Sequence, residues 1–201
     1  MPEITTPLIL LFATFLAGYL LGSVPFGLVW ARVFGLGDIR AIGSGNIGAT
    51  NVLRTGNKLA AFLTLAGDIG KGAVAVLIAR AALGEDAAQA AGLGAYLGHL
   101  FPLYIGFKGG KGVATWLGTL IALAWPVGLA AAATWLVVAA LFRISSLAGL
   151  TAAALGPVWA LVLGRPEAFL IALLLGALIF ERHRANIRRL FRGEEPKIGR
   201  K

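Results

Sequence analysis

The stretch Gly43-Ser-Gly-Asn-Ile-Gly-Ala-Thr-Asn-Val-Leu-Arg54 gathers glycines, asparagines, hydroxyls and an arginine into one short segment of a very apolar chain. Gly43, Gly45 and Gly48 let the backbone turn tightly and come close to a ligand. Successive N–H groups in such a turn form a concave nest for anions. Ser44, Asn46, Thr50 and Asn51 add polar side chains, and Arg54 adds a planar cation that can grip phosphate at two points. An ordinary glycine-rich turn accounts for the same residues, and this stretch alone does not decide between the two.

A second cluster, Gly106-Phe-Lys-Gly-Gly-Lys-Gly-Val-Ala-Thr115, opens an apolar helix. A helix N-terminus presents free N–H groups and partial positive charge to an anion. Gly109, Gly110 and Gly112 would admit a ligand to that backbone, with Lys111 as counter-charge. The spacing is not that of an ATP-binding P-loop, and no strand precedes it. A basic turn that only sets topology would explain Lys108 but not three glycines around Lys111. Ser146, in the turn Arg143-Ile-Ser-Ser-Leu147, suits a ligand contact and equally a helix cap. His183 and Asn186 stand three apart, on one face of a helix. An imidazole there suits proton handling, phosphate donation or interfacial anchoring. Asp68 and Lys71, within an apolar run, read as a structural pair beside the site, with His99 as a supporting group.

Composition limits the chemistry. There is no cysteine, and two histidines and nine acids leave little material for a metal cage. No serine–histidine–acid arrangement is evident. The net charge of +9 sits in a chain that is 58% hydrophobic and only 13% charged, so lipid headgroups and phosphorylated substrates are the expected partners, not nucleic acid.

The elements that must position these residues are apolar segments near 4–31, 59–83, 87–106, 112–125, 126–142, 147–164 and 167–182. They predict an all-α polytopic membrane protein with about seven transmembrane helices. The 112–125 and 126–142 pair is divided mainly by Trp125-Pro126. With the N-terminus outside and the C-terminus cytoplasmic, fifteen of the eighteen basic residues fall inside. All the polar clusters then share the cytoplasmic face, whereas a transporter needs polar groups near the midplane, reachable from both sides. Residues 1–201 read as a single membrane domain, with 182–201 a basic cytoplasmic tail. Gly18 with Gly22, and Gly94 with Gly98, mark close helix packing within one chain or between two. The oligomeric state does not follow.

Together these motifs closely resemble the bacterial membrane-integral acyl-phosphate:glycerol-3-phosphate acyltransferase family. The resemblance runs through Gly22-Ser-Val-Pro-Phe-Gly27, Gly43–Asn51 with Arg54, Gly98-His99, Phe107–Thr115, Ser146-Leu147 and His183–Leu190. It implies transfer of a fatty acyl group from acyl phosphate to the 1-hydroxyl of glycerol 3-phosphate at the bacterial inner membrane, without cofactor or metal. Products would be lysophosphatidic acid and phosphate. It also implies functional positions at Ser44, Arg54, Lys111, Ser146, His183 and Asn186. The sequence reading puts acyl phosphate on the Gly43–Asn51 loop and glycerol 3-phosphate near Lys111, Ser146, His183 and Asn186. It favours His183 as a positioning donor, the departing phosphate taking the proton.

Overall fold

The computed structural model describes residues 2–199; Arg200 and Lys201, the last charges of the basic tail, lie outside the described residues. The chain forms α1 (Leu8–Gly22), α2 (Phe26–Val33), α3 (Ala49–Leu53), α4 (Lys58–Leu83) and α5 (Glu85–Leu100). It continues with α6 (Val113–Leu123), α7 (Trp125–Phe142), α8 (Ser145–Val162), α9 (Phe169–Arg182) and α10 (Arg184–Phe191). Among the described residues there is no strand, and the all-α expectation holds.

The boundaries follow local chemistry. The predicted first segment breaks at Ser23–Pro25, because Pro25 has no N–H to continue the ladder. α4 starts at Asn57, whose side chain accepts from the Ala60 N–H at 2.9 Å. The division at Trp125-Pro126 is present: α6 stops at Leu123, and Pro126 lies in the first turn of α7. The predicted 87–106 segment ends earlier, at Leu100, just before Phe101-Pro102.

Among the described residues, four segments can cross a membrane by length and composition: Leu8–Val33, Lys58–Leu83, Trp125–Phe142 and Ser145–Val162. Large apolar side chains on their outer faces, among them Leu8, Phe12, Phe62, Ile78, Leu136, Leu141 and Val162, are exposed, as a lipid-facing surface requires. α6 is only 11 residues long, about 16 Å at 1.5 Å per residue. It starts only after Gly112, because the residues before it are hydrogen-bonded back onto the end of α5 through Gly109 and Gly110, and it stops at the Trp125-Pro126 break.

Small residues set the packing. Gly18 and Gly22 of α1 lie against the Ala91 and Ala95 backbone, while Gly94 and Gly98 of α5 lie against Phe15, Tyr19 and Ser23. The two small-residue motifs thus meet each other within one chain. Trp116, Tyr96, Leu100, Leu120, Leu175 and Ile179 fill the core between α5, α6, α8 and α9. Connections gather at two ends of the bundle. At one, Asp86 accepts from the Thr5 and Thr6 N–H groups at 2.8 and 2.7 Å, and Gln89 donates to the Glu167 carbonyl. At the other lie the four polar clusters.

Candidate active site

The first loop is built around Asn51. Its Oδ1 accepts from the Ser44 N–H at 3.1 Å and from Arg54 Nη1 at 3.3 Å, and its Nδ2 donates to the Ile39 carbonyl at 2.7 Å. Both ends of this buried amide serve the loop's own shape. Gly43, at φ +54°, lies directly under Arg54, and a β-carbon there would overlap the guanidinium and the Asn51 oxygen. Gly45 also has positive φ, at +66°, and Gly48 precedes the first residue of α3. Gly43, Ser44 and Gly45 are exposed, Asn46 half-buried. Thr50 reaches out of the loop: its hydroxyl is 3.1 Å from that of Ser145 at the start of α8.

The second loop differs from the expected amide nest. The Gly109 and Gly110 N–H groups donate to the Leu100 and His99 carbonyls at 3.2 and 3.0 Å, so these two amides are not free for an anion. The glycines are needed for close approach. A β-carbon on Gly109 would meet those carbonyls, one on Gly110 the His99 ring, and one on Gly112 the Tyr96 ring. From the other side Arg182 donates to the Gly109 and Gly110 carbonyls at 3.1 and 3.2 Å. The clamped loop places the Lys111 ammonium next to the N-terminus of α6.

Lys111 Nζ donates to Asn186 Oδ1 at 2.6 Å. Ser146 Oγ donates to Glu195 Oε1 at 2.7 Å, Asn186 Nδ2 donates to the same oxygen, and Arg189 Nε donates to Oε2 at 2.6 Å. Ser146 makes no helix cap. Lys111, Ser146, Asn186 and a tail carboxylate therefore form one network joining α6, α8, α10 and the segment after α10. Ile198 holds the tail in place by exchanging hydrogen bonds with Arg143 in the α7–α8 turn, at 2.6 and 3.1 Å. Glu195 and its anchoring role were missed from sequence; the signal was the acidic pair Glu194-Glu195 closing an otherwise basic tail.

The electrostatics link the clusters. Burial pushes the Lys111 ammonium down to about 8; Glu195 opposes the shift, while Arg189, Arg54 and Arg182 add to it. Arg54 of the first loop thus acts on Lys111 of the second. Burial works to raise the Glu195 carboxyl, but hydrogen bonds from Ser146, Asn186 and Arg189 outweigh it and hold the group below its ordinary range. His183 is buried between α9 and α10, and burial, followed by the Lys111 charge, pushes it down to about 4. Its Nδ1 lies 2.7 Å from the Ile179 carbonyl, which only accepts, so Nδ1 carries the proton. Nε2 of the neutral ring is then an acceptor, facing Gly149 of α8. A positioning donor, as read from the sequence, does not fit this tautomer.

A family model described as glycerol-3-phosphate acyltransferase matches residues 12–193. The chain belongs to the glycerol-3-phosphate acyltransferase family. Among curated relatives given that name, one from Jannaschia sp. (strain CCS1) is 66% identical over 199 residues, 99% of this chain and 98% of its own. Another, from Cereibacter sphaeroides, is 64% identical and covers 100% of this chain and 96% of its own. The fold is similar to crystal structures of PlsY (YgiH), an integral membrane glycerol 3-phosphate acyltransferase. Its glycerol 3-phosphate form aligns with a TM-score of 0.88 at 41% identity, over 94% of this chain and 96% of that one. Its lysophosphatidic acid form aligns at 0.86 and 40% identity, over 94% and 95%. The exposed apolar flanks of the bundle fit membership of this integral-membrane acyltransferase family, and the polar network at one end is the natural candidate for its site.

Proposed function

We propose that the chain transfers a fatty acyl group from acyl phosphate to the 1-hydroxyl of glycerol 3-phosphate, releasing lysophosphatidic acid and phosphate. The observation that carries this reading is the linked Lys111–Asn186–Glu195–Ser146 network, which holds an ammonium beside the neutral imidazole acceptor of His183, with Arg54 of the first loop near enough for its charge to act on Lys111. Acyl phosphate is a mixed anhydride, already activated, so alignment of reactants and stabilisation of charge suffice. The exposed Gly43–Gly45 backbone, Ser44, Asn46, Gly48, Thr50 and Arg54 would take the acyl phosphate. Lys111, supported by Gly109, Gly110 and Gly112, would hold the phosphate of glycerol 3-phosphate. Ser146 and Asn186, fixed by Glu195, would line the glycerol.

In the step itself the 1-hydroxyl oxygen bonds to the acyl carbon and the bond from that carbon to the phosphate oxygen breaks. Arg54 steadies the charge that builds up on the departing phosphate, and the hydroxyl proton leaves with it. Before attack His183 Nε2 accepts the hydrogen bond of the 1-hydroxyl and so orients it; as the new bond forms, that hydrogen turns from Nε2 to an oxygen of the departing phosphate, which takes the proton. The acyl tail lies between helices in lipid. We further read residues 1–201 as one domain of seven spans, N-terminus outside, with this site facing the cytoplasm at the inner membrane. Support for the count comes from the alternation of connections between the two ends, with α5, α6 and α9 as the shorter spans.

The test supplies purified protein with acyl phosphate or acyl-CoA and labelled glycerol 3-phosphate. Labelled lysophosphatidic acid and free phosphate are expected with acyl phosphate alone. Product formed from acyl-CoA alone would overturn the donor assignment.

A further inference from the structure

Asp68, Lys71 and His99 are almost fully buried and have no part in the step proposed above. Lys71 Nζ is 2.9 Å from Asp68 Oδ1 and donates to the Val24 carbonyl at 2.9 Å. His99 Nδ1 has no hydrogen-bond partner and faces the same Asp68 oxygen at 3.5 Å. Charges buried in a membrane protein are expensive, and replacing a buried ion pair with apolar residues is often neutral or stabilising. Stability alone therefore explains this cluster poorly. Its contacts suggest a geometric task.

One arm leads to the first loop. The Val24 carbonyl sits at the break between α1 and α2, and Lys71 also stands 5.8 Å from the centroid of the Phe26 ring, which lies on Gly67 of α4. Lys71 thus fixes the angle at which α2 leaves the break. The next residue, Gly27, presses on the Ile47 carbonyl in the middle of the Gly43–Asn51 loop; a β-carbon there would overlap it. The other arm leads to the second loop. His99 Nε2 lies under the Gly110 α-carbon, and the His99 carbonyl accepts the Gly110 N–H at 3.0 Å. Gly110 immediately precedes Lys111. Asp68 is the shared hinge of both arms.

We propose that Asp68, Lys71 and His99 form one positioning cluster that holds the two ligand loops at a fixed separation, Lys71 acting through α2 on the Gly43–Asn51 loop and His99 acting through Gly110 on Lys111. The cluster positions and takes no part in bond making. This inference rests on the two-substrate reading above.

The test measures kcat and both KM values for His99→Asn, Lys71→Met and the apolar pair Asp68→Leu/Lys71→Met, with thermal unfolding in detergent alongside. A misplacement of about 1 Å caused by a distant mutation can cost about 10²-fold in rate, so a smaller shift of one binding loop should have an effect on the order of ten-fold. His99→Asn is expected to raise KM for glycerol 3-phosphate by that order and leave the donor KM near wild type. Lys71→Met should do the converse, and the apolar pair should raise both while remaining folded. Calorimetric titration of glycerol 3-phosphate onto donor-free His99→Asn protein reads the second arm without turnover. A lower kcat or melting temperature with both KM values and this affinity unchanged would overturn the proposal. An exchange of the two KM effects between variants would support the cluster and overturn only the loop assignment. Failure of the wild type to use acyl phosphate would show in the same assay, separately, as failure of the donor reading.

Discussion

His183 donates through Nδ1 to Ile179, and with burial pushing it down to about 4 the ring stays neutral across the physiological range. The His183→Gln variant keeps a polar side chain but offers no imidazole nitrogen. We expect kcat to fall about 10²-fold with KM for glycerol 3-phosphate changed little; retention of most turnover would remove the ring from the reaction. Lys111 sets a different pH limit. Its ammonium, lowered to about 8, is charged at neutral pH and loses its proton as pH rises through that value. KM for glycerol 3-phosphate should therefore climb above pH about 8, and Lys111→Arg should flatten that limb, because guanidinium stays charged. A limb identical in the variant would assign the titration elsewhere. Glu195 works in the opposite sense. Its folded pKa lies below the unfolded value, so the unfolded state binds more protons as acid is added; tail docking is fully stabilised above the ordinary carboxylate range and lost as pH falls through the folded pKa. Glu195→Gln should loosen the tail at neutral pH, read as faster proteolysis or amide exchange after Arg192.

At the scale of elements, the apolar runs and Trp125-Pro126 made most helices legible, because hydrophobic length and proline act locally. The end of α5 was overrun although Phe101-Pro102 marks it locally, whereas the docking of the 107–112 segment against Leu100 and His99 is a set of contacts that no local pattern announces. The same reason hid the duty of the second loop's glycines. Their spacing suggested amides aimed at an anion, whereas Gly109 and Gly110 face backbone and ring at closest approach. Lys111, Ser146 and Asn186 were legible as a group, and the structure brings them together. Asn51 was read as a ligand group, while its partners are Ser44, Arg54 and Ile39. The GxxxG motifs were visible, but only packing could tell that α1 and α5 use them on each other. Filling that seam is a clean element-scale test. A Gly22→Leu side chain has nowhere to go but into the Ala95 backbone, so α1 must shift. A loss of about 1–3 kcal/mol in stability is expected from such overpacking, seen as a lower melting temperature in detergent. Unchanged melting would mean that the pair is not tightly closed.

For the whole molecule, the alternation of connections between two ends makes a specific claim about the bilayer. Among the described residues four segments are long enough to cross it unaided, and α5, α6 and α9 are shorter; for them to cross, neighbouring helices and the clamped 107–112 segment must complete the path. If all seven cross with the N-terminus outside, Glu85 at the start of α5 faces the exterior, and Lys197, in the tail docked beside Arg143, faces the cytoplasm. The chain contains no cysteine, so a single introduced thiol reports one position without background. Both residues are exposed, so a label can reach either from its own side. Glu85→Cys should react with a membrane-impermeant maleimide in intact spheroplasts. Lys197→Cys should react only after permeabilisation, with acyl transfer retained in both variants. Equal labelling of the two in intact cells would leave an even number of crossings between residues 85 and 197, which α6 is the first candidate to explain: at about 16 Å it spans only half of the roughly 30 Å hydrocarbon core. Reversed labelling would instead keep the odd count and put the site, with all its basic loops, on the opposite face.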